Sequence, residues 1–466
     1  MANSETWTKR GVMHRTSRDS PSKGSSETKS WYEKILRQTL VPMLLMVVIP
    51  NTVVCIVYLV VERGSNAMTN LSGDLPKFWR DAWTLAGVGD VEVWAVVLGL
   101  ATWAGLSLLF LGGRRYVGPP THNGFCPEYV NSGFKYYLLS MLVFVNLLSY
   151  RHMLADYSDV TSAWYWYKKM VPFTGALILF GFSVCIVLLV KGLISPSPGE
   201  FGSSGNPVFD FYWGLELYPR LGRWFDLKMW TNCRFGMLLW QLEVLLFWKA
   251  QVEYSGWNWA MAVTSILQTV YIAKFFWWED GYMKTIDIIV DHAGFYICWG
   301  CIVFVPTFYT LTSMYMVENA PSINVELAVA IFVTGLLMVG LNYWADYQRK
   351  IARETDGKCC LWGKPARVVR ASYVDAQGKS QKSLLLASGF WGLSRHINYV
   401  FEILAALSWE VPASFESFLP YLYVSFLLIL LIHRSFRDEE KCRRKYGHFW
   451  EAYSHISRYQ LLPGIF

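Results

Sequence analysis

The chain has 466 residues, 53% of them hydrophobic and 17% aromatic, with a mean hydropathy of +0.26 and a net charge of +7. That composition suits a bilayer as solvent better than two water-soluble domains, and so modest a charge, gathered at both ends and in one long loop, argues against a nucleic-acid partner. Nine scattered cysteines, several inside apolar runs, supply neither a disulfide framework nor the spacing of a metal site.

In chain order, residues 1–38 form a polar, basic stretch with no secretory signal and are expected to be a disordered cytosolic leader. Six uncharged runs follow, at 39–61, 93–113, 170–190, 254–273, 293–317 and 327–345, each close to the ~20 residues that cross a hydrocarbon core. Four shorter or interrupted runs lie at 136–150, 235–248 with Glu243 inside, 397–409 with Glu402 inside, and 417–432. The expected fold is therefore all-α and polytopic, with about ten transmembrane helices. A carboxylate within a span is costly in lipid, so Glu243 and Glu402 are expected to face the bundle interior or a wet cavity. Basic residues before the first span, at Arg114 and Arg115, in the loop 346–396 and after Ile432 fall on one side if the spans are even in number. That side is the cytosolic one, and both termini share it. The acidic stretch 62–90 then faces the lumen, where the sequon Asn70-Leu71-Ser72 is usable.

No P-loop, G-x-G-x-x-G, H-E-x-x-H or G-x-S-x-G occurs, so an anionic cofactor has to be held by side chains. Arg349, Lys350, Arg353, Arg395, Arg437, Arg443, Arg444 and Lys445 supply the charge, and several guanidinium forks around a pyrophosphate and a 2′-phosphate favour NADPH over NADH. The same charges also read as simple topology signals. Among them stand groups that could contact a dinucleotide: Trp391, Tyr399, Tyr446 and Tyr453 to stack, Asn398 to bond an amide, Asp438 to accept from ribose hydroxyls. Asp287 and Asp291 are spaced to share one face of a helix at the membrane boundary, which calls for a neighbouring cation such as Lys284 or a raised pKa. Tyr271 closes an uncharged run just before Lys274 and Glu279; it reads either as a core tyrosine reaching the interface or as a functional acid.

From about residue 200 onward the chain resembles the sterol reductases, a family that includes the membrane domain of the lamin B receptor. The resemblance rests on Lys284-Thr-Ile-Asp-Ile288, Asp291-His-Ala-Gly294, Thr355-Asp-Gly-Lys-Cys-Cys-Leu-Trp-Gly363, Leu384-Leu-Leu-Ala-Ser-Gly-Phe-Trp-Gly392, Arg395-His-Ile-Asn-Tyr399, Arg437-Asp-Glu-Glu-Lys-Cys442, Lys445-Tyr-Gly447 and Leu462-Pro-Gly-Ile-Phe466. The third and last of these look like the branch acting on the C7–C8 bond of 7-dehydrocholesterol-type sterols rather than the C14 branch. The resemblance implies a multi-pass enzyme of the endoplasmic reticulum that takes a sterol from the bilayer and reduces a ring double bond for sterol biosynthesis. Residues 196–466 would be its core, preceded by N-terminal membrane helices over 39–195. NADPH would lie in a cytosol-facing pocket, touching Arg349, Arg353, Leu386, Trp391, Asn398, Tyr399, Asp438, Cys442, Arg443, Arg444, Lys445, Tyr446 and Tyr453. Tyr271 would supply the proton, with Asp438 as partner, and Lys274, Glu279, Asp287 and Asp291 would stand on the substrate side. The chain departs from the family pattern in having Lys274 and Cys301 where relatives carry Asp, Tyr218 where they carry Asn, and Phe235 where they carry Pro. Two alternatives share the fold: reduction at C14 or another ring position, and a non-catalytic sterol-binding or scaffold protein.

Overall fold

The computed structural model describes every residue except 1–30, 65–73, 120, 122–123, 154–161, 224, 375–377 and 379. The sequon and most of the leader lie outside the described residues. Among those described, seven helices are long and apolar enough to cross a membrane: Trp31–Arg63, Val91–Phe110, Met170–Ile194, Trp259–Trp277, Phe295–Asn319, Val325–Glu354 and Leu419–Tyr446. The other three expected spans are also helical, as Gly133–Met153, Met237–Ser255 and Ile397–Glu410, but do not meet that standard of length and apolarity. The chain is a polytopic α-helical membrane protein.

Two boundaries differ from expectation. The first described residues, from Trp31, are already helical, so residues 31–38 belong to the first helix rather than to the leader. The helix Val325–Glu354, called here the long helix, carries nine residues of the expected loop 346–396. Composition marks where a helix leaves the apolar layer, and hydrogen bonding lets the same helix run on beyond it.

Local chemistry starts the helices where the apolar runs begin. Asp90, Asn258 and Asn324 each accept from the backbone N–H three residues on, capping the helices that open at Val91, Trp259 and Val325. Gly256, at φ +82°, turns Met237–Ser255 back into Trp259–Trp277, a conformation that strains any side chain with a Cβ. Two stretches, Trp230–Gly236 and Phe295–Phe304, wind as wide π-type turns and pack on each other. At their crossing Gly236 meets the Cys301 carbonyl so closely that a Cβ there would collide with it.

Beyond the long helix, Val368–Val374 and Ser380–Leu386 pair antiparallel with Val368 opposite Leu386. Alternate faces of this hairpin serve two small cores. Leu386 packs with Ala345, Ala352, Trp391 and Ile397, whereas Leu385 packs with Trp450 and Tyr453 of the terminal helix His448–Ile456. The C-terminal tail is tied back by Arg395 N–H donating to the Tyr459 carbonyl (2.9 Å) and His396 N–H to that of Gln460 (3.0 Å).

Candidate functional site

Tyr271 sits two turns before the end of Trp259–Trp277, between the rings of Trp240 (5.7 Å between centroids) and Trp409 (5.3 Å). Its hydroxyl is hydrogen-bonded to Glu402 of the helix Ile397–Glu410, not to Asp438. The expected pairing with Asp438 is therefore replaced by a carboxyl from another helix. One turn on, the Lys274 ammonium stands 4.9 Å from the Tyr271 ring centroid and donates to Oδ1 of Asn342 on the long helix (2.6 Å). From there a polar chain continues. The Asn342 amide donates to the Asn398 carbonyl (2.9 Å), and the Asn398 amide donates to Asp346 (3.3 Å). Asp346 pairs with Arg349 (3.2 Å), whose guanidinium lies 4.4 Å from the centroid of Trp391. Trp391 is oriented by its own N–H, which donates to the Ala345 carbonyl (2.7 Å). Tyr271 and Lys274 are thus joined to Asn398, Arg349 and Trp391 by consecutive side-chain contacts.

The two aspartates do not share a helix. The short helix Ile286–Ile289 ends before Asp291, because the buried Lys228 ammonium gathers the carbonyls of Leu217 (3.4 Å), Ile288 (3.0 Å) and Asp291. Nor is Lys284 their cation, since it lies against the Tyr116 ring. Arg434 pairs with Asp287 (2.7 Å) and Arg437 with Asp291 (3.5 Å), both reaching across from the last membrane helix. Burial and the Asp287 charge push the Asp291 carboxyl up from its ordinary value, against the pull of Arg437, Arg434 and Lys228. Burial lowers Lys228 itself to about 8.

At the far end of the polar chain, His396 stacks on Tyr399 (5.0 Å between centroids) and its imidazole is pushed down to about 4 by burial, with the Asp438 charge acting the other way. His396 Nε2 and Asn398 Oδ1 are buried without a hydrogen-bond partner. Arg353 lies within electrostatic range of Arg349, Tyr446, Tyr453 and Cys442. Lys445 lies over the Tyr373 ring (4.1 Å), and Tyr446 bonds Ser383 (3.1 Å), which fastens the end of the last membrane helix to the hairpin. Among the described residues neither Arg353 nor Lys445 has a carboxylate at ion-pair distance. Cations without a carboxylate partner, two orphaned polar atoms and a set of aromatic rings are the groups that an anionic dinucleotide with an amide-bearing ring requires, so the donor set fits one.

Four expected site residues stand apart. Arg443 and Arg444 project outward and pair with Glu439 (3.7 Å) and Glu440 (2.7 Å) on their own helix. Leu386 is enclosed in a core cluster. Glu279 is fully buried and its oxygens are taken up by Arg234 and by the N–H groups of Ser132 (3.2 Å) and Gly133 (2.8 Å). Both Glu279 oxygens are thus engaged within the protein, which makes it an anchor between elements.

Residues 40–466 match the Ergosterol biosynthesis ERG4/ERG24 family. The chain belongs to this sterol reductase family. The 7-dehydrocholesterol reductase of Arabidopsis thaliana is 41% identical over 374 residues, covering 80% of this chain and 85% of that protein. That of Danio rerio is 33% identical over 75% of this chain and 72% of its own. The Delta(14)-sterol reductase of Methylotuvimicrobium alcaliphilum is 29% identical over 91% and 94%. Membership makes the chain a sterol reductase of sterol biosynthesis, an oxidoreductase acting on a CH–CH bond. Against this family background, three positions where the chain departs from the expected pattern have structural explanations. Lys274 is held by Asn342, Tyr218 is buried with Lys228 5.9 Å from its ring centroid, and Phe235 packs on Phe180 (5.5 Å). Sequence reasoning missed Glu402 as a partner of Tyr271 and Asn342 as a bridge. The one available signal was the charge of Glu402 inside an apolar run.

Proposed function

We propose that this reductase saturates the C7–C8 bond of a 7-dehydrocholesterol-type sterol with NADPH as hydride source, in the endoplasmic-reticulum membrane and with both termini in the cytosol. The observation that carries the reading is the unbroken run of polar contacts from Tyr271 to Arg349 and Trp391. A ring alkene without an electron-withdrawing substituent accepts hydride only as another group protonates its second carbon, so an acid and a hydride donor must be held on one rigid frame. Tyr271 is the acid in this reading, set beside the rings of Trp240 and Trp409. Arg349 and Arg353 hold the phosphates, Trp391 and Tyr399 line the ring, and Asn398 with His396 takes the polar groups of the dinucleotide. NADPH, when bound, supplies the hydride. The 41% identity to a 7-dehydrocholesterol reductase supports the ring position.

Membranes containing the chain, given NADPH and 7-dehydrocholesterol, should reduce the C7–C8 double bond of that sterol. Reduction of a Δ14 sterol with 7-dehydrocholesterol untouched would favour instead the C14 reading, which the 91% coverage by a Delta(14)-sterol reductase keeps in view.

A further inference from the structure

Tyr271 is held from two sides, by a carboxyl and by an ammonium. Glu402 is bonded to its hydroxyl, and Lys274 stands 4.9 Å from its ring centroid, fixed there by Asn342, which Asn398 fixes in turn. The tryptophan rings of residues 240 and 409 occupy neighbouring positions. A phenol that protonates carbon is left as a phenolate and must recover a proton before it can act again. The carboxyl already bonded to it is the nearest source, and the ammonium beside it opposes the negative charge meanwhile.

We infer that Glu402 returns to Tyr271 the proton it gives to the sterol, and that Lys274 stabilises the phenolate between the two transfers. This rests on the reductase reading above with Tyr271 as the acid. In the first step the Tyr271 O–H bond breaks as a C–H bond forms at one alkene carbon, while the nicotinamide donor is oxidised by passing hydride to the other. In the second, the Glu402 carboxyl O–H bond breaks and the phenol is restored. The carboxylate then takes a proton from water, so each turnover adds one hydride and one water-derived proton to the alkene. Glu402 and Lys274 act through Tyr271 and are positioning residues.

The test uses the full chain in detergent, with NADPH and whichever of 7-dehydrocholesterol or a Δ14 sterol the wild type reduces, comparing the first turnover with the steady state. Glu402→Gln keeps an acceptor for the tyrosine but has no proton to return. It should give a burst of one NADPH per enzyme at nearly the wild-type rate, then turn over roughly 10²-fold more slowly, with phenolate absorbance accumulating after the burst. Glu402→Asp should recover part of the steady rate. Lys274→Met should slow the first turnover itself, with Lys274→Arg restoring it, and the equilibrium dissociation constant for the sterol should be unchanged in all four. A Glu402→Gln enzyme with wild-type kcat, or one that loses first turnover and sterol affinity together, overturns the inference. A wild type that reduces neither sterol sinks the functional reading, and this inference with it.

Discussion

Glu279 and Arg234 meet where neither is exposed, and the carboxylate also receives two backbone N–H groups. Removing one charge leaves the other stranded in a medium that cannot solvate it, which costs about 3–5 kcal/mol. Glu279→Gln keeps an acceptor for Ser132 and Gly133 but strands the guanidinium, so the detergent-solubilised protein should melt well below wild type. Arg234→Met added to Glu279→Gln should regain much of the loss, and a double variant no more stable than the single one would refute the pairing. His396 offers a test by pH. Its folded value of about 4 lies below the ordinary value of about 6.5, so between those limits the unfolded chain binds more protons. Stability is therefore complete above about pH 6.5 and falls with acidification towards pH 4, by about 3 kcal/mol at most. Melting temperature measured across that window should fall less steeply in His396→Gln than in wild type.

At the scale of elements, two of the contacts that tie the last membrane helix to the rest are long-range ion pairs, Arg434 to Asp287 and Arg437 to Asp291. A cycle of Asp287→Asn, Arg434→Gln and the double variant should give a coupling of about 1–2 kcal/mol, read from melting temperatures, because both side chains are mostly shielded. Additive losses would mean that the pair does not clamp the helix. The same contacts explain what could be read in advance. The six long apolar runs were legible because burial in lipid is a property of neighbouring residues. The residues now grouped around Arg349, Trp391 and Asn398 were legible as a set of types, through motifs in order. The break in the helix before Asp291 was not, since its cause is an ammonium on Lys228, 63 residues earlier in the chain. Nor was the partner of Tyr271, which lies 131 residues away and whose charge had been read only as a requirement to face inward. The widened turns at Trp230–Gly236 and Phe295–Phe304 leave no trace in hydropathy at all.

For the whole molecule, the number of crossings decides which side each end occupies. Three helices set that parity. Met237–Ser255, with 19 residues, is about 28 Å long, and Gly133–Met153, with 21, is about 31 Å, so both match a hydrocarbon core of about 30 Å. The first falls short on apolarity because it carries Glu243, Lys249 and Glu253; Glu243 is buried inside the bundle and hidden from lipid, and Lys249 pairs with Glu253. Ile397–Glu410 is only about 21 Å long, but it and the last membrane helix run out and back: its first turn and the chain end are tied together through His396 and Gln460. Whether that hairpin crosses fully or dips part-way, it returns the C-terminus to the side of the basic loop. With the other two helices crossing, the total is even and both ends share one side. Protease added to sealed microsomes should then remove epitope tags from both termini, while a tag inserted within residues 65–73 stays intact until detergent is added. Protection of one terminal tag alone would show that Gly133–Met153 or Met237–Ser255 does not cross, and would place the Arg349 and Arg353 end of the site opposite the N-terminus.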